Sequence, residues 1–200
     1  PKLANRNKHY CRQLQLLWVL AYRAGLRRNE LIRIQVKDIE NSDDLWIFVR
    51  NNRVAKDKTS SARRKIPLRV LLTPSELAMF RSYLPSPASR KQSKNHLLLH
   101  AESGKRDSLD PNHVTCDVIC VLRQLGIPGS LHSLRHTALS RMQLIAEREW
   151  RLLERFSAYS QDQGMAIYTA VFGHEYVAHE RYRALAAFAG HASPSITLST

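Results

Sequence analysis

Thr73-Pro74-Ser75-Glu76 is the run that most narrows the fold, because each residue in it suits the first turn of a helix. The threonine hydroxyl can accept from the N–H three residues on, and Glu76 can return a bond to Thr73. The proline lacks only a donor that a first turn leaves unsatisfied anyway. A helix therefore begins at Pro74 and runs to about Leu84. The same signal recurs at Asp110-Pro111, which opens a helix ending near Gly126, and Ser130 can cap a helix holding His132 and Arg135. From Tyr10, residues Leu14, Leu17, Trp18 and Ala21 fall at helical spacing until Gly25 stops the run, and Asn29 can cap a short second helix through Arg33. From Met142 to Phe188 the character is again helical, with interruptions expected at Gly164 and Gly173 and an end at Gly190. Ser193-Pro194 then opens a further helix.

Strand-forming residues are few. Leu45-Trp46-Ile47-Phe48-Val49 reads as one strand, followed by a polar turn at Asn51-Asn52, and a second strand runs through Ile66 and Leu68. Lys56 to Lys65 is a basic stretch at the far end of that hairpin. Pro85 to Asn95 reads as an exposed loop, and His96 to His100 as a short apolar segment before another turn. The expected fold class is mainly α with a small antiparallel sheet, an α+β domain. The Trp18, Trp46 and Trp150 rings and the methionines are assigned to its core. No internal repeat or low-complexity segment interrupts the chain.

With 200 residues and 44% hydrophobic content, one domain with a real core is the default. A formal net charge of +14 favours a polyanionic partner, nucleic acid first, and the positive residues are spread over the whole chain without a terminal tail. Three cysteines cannot all pair, which argues against a secreted disulfide framework and for a reducing cytoplasm. His113, Cys116 and Cys120 sit at helical spacing but lack a fourth metal ligand, so buried free thiols are expected. No apolar run approaches the ~20 residues of a membrane span, and no signal-peptide pattern opens the chain. A soluble, intracellular protein is expected.

The chemistry concentrates at His132-Ser133-Leu134-Arg135-His136, where three-residue spacing brings His132 and Arg135 onto one helix face. Arginines carry fixed, permanently protonated planar donors suited to a phosphodiester. Gly25-Leu26-Arg27 with Glu30-Leu31, then Lys58-Thr59 leading to Arg64-Lys65-Ile66-Pro67-Leu68, then the His132 to His136 cluster, and finally Gly190-His191 occur in that order. Taken together, these motifs resemble the catalytic domain of the tyrosine recombinases, the phage integrase family. The likeness spans almost the entire chain. Between Arg135 and His191 the spacing is long, so the helical region around 147–179 reads as an insertion. Gly173-His174 is a rival for the late histidine, but Ala192 to Thr197 after His191 fits the family's lead-in to its nucleophile better.

That resemblance implies a DNA phosphodiester attacked by a tyrosine hydroxyl to give a 3′-phosphotyrosyl bond and a free 5′-hydroxyl, with no metal, ATP or other cofactor. Arg27 and Arg135 would stabilise the transition state, Lys58 would protonate the leaving oxygen, and His132 would accept the tyrosine's proton or bond the phosphate. His191 would donate to a non-bridging oxygen. Glu30 would hold the Arg27 guanidinium, and Arg63, Arg64 and Lys65 would lie along the phosphate backbone. His136 is assigned a structural role. The nucleophilic tyrosine is expected just past Thr200 and the family's separate N-terminal DNA-clamping domain before Pro1, so the 200 residues are expected to bind double-stranded DNA without cleaving it. Tetramers on paired sites are implied for the whole enzyme, with the 200 residues alone a monomer, in the cytoplasm with the nucleoid. Two other readings stay open: a non-catalytic DNA-binding module or degenerate relative, and a type IB topoisomerase.

Overall fold

The computed structural model describes residues 7–50, 63–173, 178–191 and 193. Helix α1 (Lys8–Ala24) is capped by Asn7, whose side chain accepts from the His9 N–H, and Gly25 ends it in the left-handed region at φ 62°. Its buried stripe includes Leu16, Leu17, Leu20, Ala21 and Ala24. This stripe packs chiefly on α7 (Leu131–Glu147), the helix that carries the His132 to His136 cluster. Two polar ties fix α1 further. Gln13, nearly fully buried, exchanges two hydrogen bonds with the main chain of His100, and the Tyr10 hydroxyl donates to Asp117 on α6 (Pro111–Gln124) at 2.7 Å.

After the short helix α2 (Arg28–Leu31) comes a three-stranded antiparallel sheet in the order β1 (Ile39–Glu40), β2 (Trp46–Val49), β3 (Arg64–Pro67). Ile39 pairs with Ile47 and Ile47 with Ile66, which sets three buried isoleucines in a row across the core face. The hairpin read from sequence is present, with β1 as an additional strand. Its second strand ends at Pro67, and Leu68 instead opens the one-turn helix α3 (Leu68–Leu71).

Helix α4 (Pro74–Tyr83) begins as expected, with Thr73 and Glu76 exchanging their capping bonds. Three expectations need correction. Asn29 is not a cap but lies inside α2, where Arg27 takes the cap position. The segment 85–95 contains a helix, α5 (Pro87–Ser93), started by the same polar-residue-then-proline signal at Ser86-Pro87. Gly164 does not interrupt a helix. It lies within α9 (Gln161–Phe172), where a Cβ would stand 2.7 Å from Leu153 Cδ2 and 3.0 Å from the Trp150 ring. The breaks fall elsewhere: α7 ends at Arg148, a non-glycine residue at φ 60°, and Ser157 to Ser160 separates α8 (Trp150–Phe156) from α9. Gly173 ends α9, and α10 (Ala178–Ala189) closes the described fold.

A buried polar cluster docks α8 and α9 on the rest. Tyr159, in the turn between them, donates its hydroxyl to the Leu71 carbonyl at 2.7 Å, and its ring lies 4.9 Å from the Arg23 guanidinium and 5.6 Å from that of Arg141. Arg23 pairs with Glu76 at 3.0 Å, while Arg141 donates to the Tyr22 carbonyl. Helices α1, α4, α7 and the α8–α9 turn are thus joined by one network. Trp18 and Trp150 are half-buried against the core, whereas Trp46 is half-buried on the face of β2 opposite Ile47, beside Lys65, and Met165 is not a core residue either, being 51% exposed on the outer face of α9. Nor are the thiols buried as expected: Cys116 is exposed, and Cys11 and Cys120 are partly so. Among the described residues, no group of three His, Cys, Asp or Glu side chains is assembled to hold a metal, and no helix is long and apolar enough to cross a membrane.

Gly164→Ala tests the packing of α9. Helix propensity alone would stabilise the variant by about 1 kcal/mol, but overpacking against fully buried Leu153 costs about 1–3 kcal/mol. The expected outcome is a lower midpoint in urea unfolding, and a raised one would mean that α8 yields without strain.

Candidate functional site

Two left-handed helix ends build the site. Gly25 turns the chain out of α1 so that Arg27 emerges at the start of α2, and the Gly25 carbonyl accepts from Arg135 Nη1. At the far end of the chain, α10 closes in a Schellman turn: Gly190, at φ 68°, donates its N–H to the Ala187 carbonyl and His191 donates to Ala186. The freed carbonyls of that turn receive arginines. Arg27 Nη2 donates to Gly190 O at 3.0 Å, and Arg135 Nη2 donates to Ala189 O at 2.6 Å. Arg135 Nη2 also lies 3.3 Å from His191 Nε2. A guanidinium can only donate, so Nε2 accepts and the ring proton sits on Nδ1. Gly190 also leaves room for the guanidiniums, since a Cβ there would meet Arg64 Nη1 at 2.6 Å and Arg27 Nη1 at 3.0 Å and would push those tips aside.

Glu30 is the anionic centre of the cluster. Its carboxylate accepts from the Arg27 N–H at 2.7 Å, from Arg27 Nη1 at 3.0 Å, and from both Arg64 Nη atoms at 2.9 and 2.8 Å. The Arg64 and Glu30 side chains are each 4% exposed, whereas Arg27 is 37% exposed and so opens to solvent. Side chains at positions 27, 30, 64, 135 and 191 therefore converge on one place. An arginine-rich group of this kind, with one carboxylate inside and one guanidinium at the surface, is arranged to receive an anion.

Residues 2–175 match the phage integrase family. The chain belongs to that family. It is 27% identical over 157 residues to the tyrosine recombinase XerA of Pyrococcus horikoshii, a match covering 78% of this chain and 50% of the relative. Its fold is shared with the Tn1549 transposon integrase solved with transposon right-end DNA (TM-score 0.55, 18% identity, 98% of this chain and 55% of that one). It is shared also with the XerA recombinase crystal structure (TM-score 0.51, 18% identity, 94% and 55%). The chain thus spans about half the length of the relatives it matches, and its fold is that of tyrosine recombinase catalytic domains, mostly helical with a small antiparallel sheet. The family match stops short of His191, so the bond from Arg135 is what places that histidine in the cluster of this integrase-family domain.

Electrostatics in the cluster are unbalanced toward positive charge. Burial alone would raise the Glu30 pKa, but the bonds and charge of Arg64, then those of Arg27, hold it down at about 2. Burial lowers Arg135, and the neighbouring Arg27 and Arg64 push it further, to about 9, so the guanidinium stays charged at neutral pH. His191 is pushed down to about 4 by burial and then by Arg135, Arg27 and Arg64. It is a neutral imidazole at pH 7. His132, exposed on the first turn of α7, is lowered by burial, then by His136, Arg135 and Arg27.

Lys58 lies outside the described residues. Arg63 is exposed, and Lys65 pairs with Glu40 at 3.2 Å and lies 4.4 Å from the centre of the Trp46 ring. Arg64 departs from its expected place on a phosphate-tracking surface. Strand alternation puts it on the same face as buried Ile66 and opposite to Lys65, which carries it inward onto Glu30. The His136 ring meets that of His132 edge-on, centroids 4.2 Å apart. The four-residue spacing carried that signal. Arg33 was missed entirely; it is buried, and Glu30, Arg64, Asp38 and Arg27 all act on its charge.

Removing the Glu30 carboxylate takes away the counter-charge that Arg64 and Arg27 share, so Glu30→Ala should cost about 3–5 kcal/mol in denaturant unfolding, and pairing it with Arg64→Met should recover part of the loss. Because Glu30 is held below its ordinary 4.5, its contribution is present above that value and is lost as pH falls through about 2. His191 is held below its ordinary 6.5, so the unfolded chain protonates first and stability declines as pH drops from 6.5 toward 4. An anion against the arginines offsets their repulsion of the imidazolium. The His191 midpoint measured by NMR should therefore rise on adding sulfate, and a midpoint that stays put would show that no anion enters beside it.

Proposed function

We propose that this chain is the catalytic domain of a site-specific DNA recombinase and that Arg27, Arg135 and His191 grip the scissile phosphodiester of double-stranded DNA. The observation that carries the reading is the convergence on the Gly190 turn of guanidiniums more than a hundred positions apart in sequence. In the resting cluster these arginines spend donors on main-chain carbonyls. A phosphate, with more charge and better acceptors, competes for the same donors.

The chemistry follows from the side chains. A tyrosine hydroxyl attacks phosphorus, its proton passes to His132 or to the phosphate, and the bond to the 5′ oxygen breaks as Lys58 protonates that oxygen. The product is a 3′-phosphotyrosyl linkage, and the reverse attack by a 5′-hydroxyl rejoins the strand. Arg27 and Arg135 stabilise the charge that grows on the non-bridging oxygens, a task for preorganised donors in a partly desolvated site. Neutral His191 can donate one further hydrogen bond there. Glu30 and Arg64 hold Arg27 in place, and Arg63 and Lys65 contact the flanking backbone. The 147–179 region is an insertion between the helix that carries Arg135 and the one that delivers His191. In the whole enzyme, copies assemble as tetramers on paired sites.

The decisive experiment uses the full-length protein. Incubated with fragments of its host DNA and stopped with detergent, it should leave DNA covalently attached through a tyrosine. Arg135→Ala should reduce the rate of adduct formation by about 10²–10³. Tight DNA binding with no adduct on any fragment would instead support a DNA-binding module without cleavage activity. Supercoil relaxation without strand exchange would support a topoisomerase. Binding itself should weaken with salt, the log–log slope growing by about 0.9 for each phosphate neutralised.

A further inference from the structure

Phe156, Met165 and Leu152 are 64%, 51% and 40% exposed, three of the five large apolar side chains left in water among the described residues. All three belong to α8 and α9. Leu152 and Phe156, four apart, share a face of α8. On α9 the inward side is Gly164, Ile167, Tyr168 and Phe172, while Met165, Ala166, Thr169 and Ala170 face outward, and no charged residue occurs from Gln163 to Gly173. The core is complete without this outer face.

Charge sets the same region apart. Residues 148–200 hold five Lys and Arg against five Asp and Glu, so the whole excess of 14 positive charges falls in residues 1–147. Positive residues do run along the whole chain, but their excess does not. DNA is attracted to the first part. The α8–α9 region itself, residues 148–173, carries Arg148, Arg151 and Arg155 against Glu149, Glu154 and Asp162, and equal numbers of both signs among exposed apolar side chains suit a protein partner.

We propose that the outer face of α8 and α9 is the contact for a second copy of this chain. Two copies at +14 repel each other through residues 1–147, and the neutral region is where that repulsion is smallest. Equal numbers of opposite charges can also pair with their own counterparts across a two-fold axis. Three large apolar side chains spread over two helices bury less than a standard interface, so the contact is weak in free solution. Two copies held side by side on one DNA see each other at an effective concentration in the millimolar range, where a weak contact closes. The DNA-bound form rests on the recombinase reading above, and the self-association itself does not.

Sedimentation equilibrium of the chain alone, taken to about 1 mM, tests the contact without DNA. The native chain should form dimers at the top of that range. Phe156→Glu and Met165→Glu should abolish them, while Leu125→Glu, at an equally exposed apolar site off these helices, should not. Thermal melts of all three should match the native chain, because each side chain is already in water. On a duplex long enough for two chains, the second copy should bind about tenfold more tightly than the first. That factor should vanish in Phe156→Glu with first-copy affinity unchanged. A native chain that stays monomeric throughout, or a Phe156→Glu variant that dimerises normally, overturns the proposal, and so does a different protein seated on the patch. Loss of all duplex binding would sink the recombinase reading while leaving the sedimentation result to decide this one.

Discussion

A single carboxylate sets the terms for the arginine cluster of this domain. Glu30 is almost wholly buried among Arg27, Arg33, Arg64 and Arg135, and it receives hydrogen bonds from two of them. Burying an ion pair is costly unless each lone pair and proton is used, and here the carboxylate accepts four bonds. Without it, the Arg64 and Arg27 guanidiniums, both beside Gly190, would lose the carboxylate they share. With it, one guanidinium is anchored inside, another is braced at the surface, and positive potential is left over for a ligand. Burial lowers the His191 pKa first, and that leftover potential lowers it further.

Much of this arrangement was legible in the amino-acid sequence, for identifiable reasons. Arg27 and His191 follow glycines that end helices, and Arg135 lies three residues after His132 on a capped helix, so local rules locate them. Glu30 announces itself by its spacing from Arg27. Arg64 sits in a basic stretch whose composition points to solvent, while its alternation with buried Ile66 along the strand points it inward. Arg33 carries no local signal at all, since its burial comes from long-range packing.

The fold shows the same division. Helix starts marked by a polar residue before proline were readable at Pro74 and Pro111, and the same signal at Pro87 was outweighed by the polar composition around it. Ends lacking glycine were not readable. Arg148 takes a left-handed conformation that its residue type disfavours, supported by its guanidinium lying 4.6 Å from the Tyr168 ring centre. Conversely, Gly164 looked like a break and is a packing requirement: it makes room for Leu153 and Trp150, and so lets α8 lie close against α9. A glycine read alone does not say whether it serves the backbone's freedom or a neighbour's volume.

The arginines grasp the end of α10 through main-chain oxygens, those of Ala189 and Gly190. Such a clasp reads no side-chain identity upstream. Whatever polypeptide joins α7 to α10, the imidazole arrives in the same place so long as a helix finishes in that left-handed glycine. Among the described residues, α8 and α9 supply none of the bonds that tie Arg27 and Arg135 to that turn, so their outer surface can change while the arginine cluster stays in register.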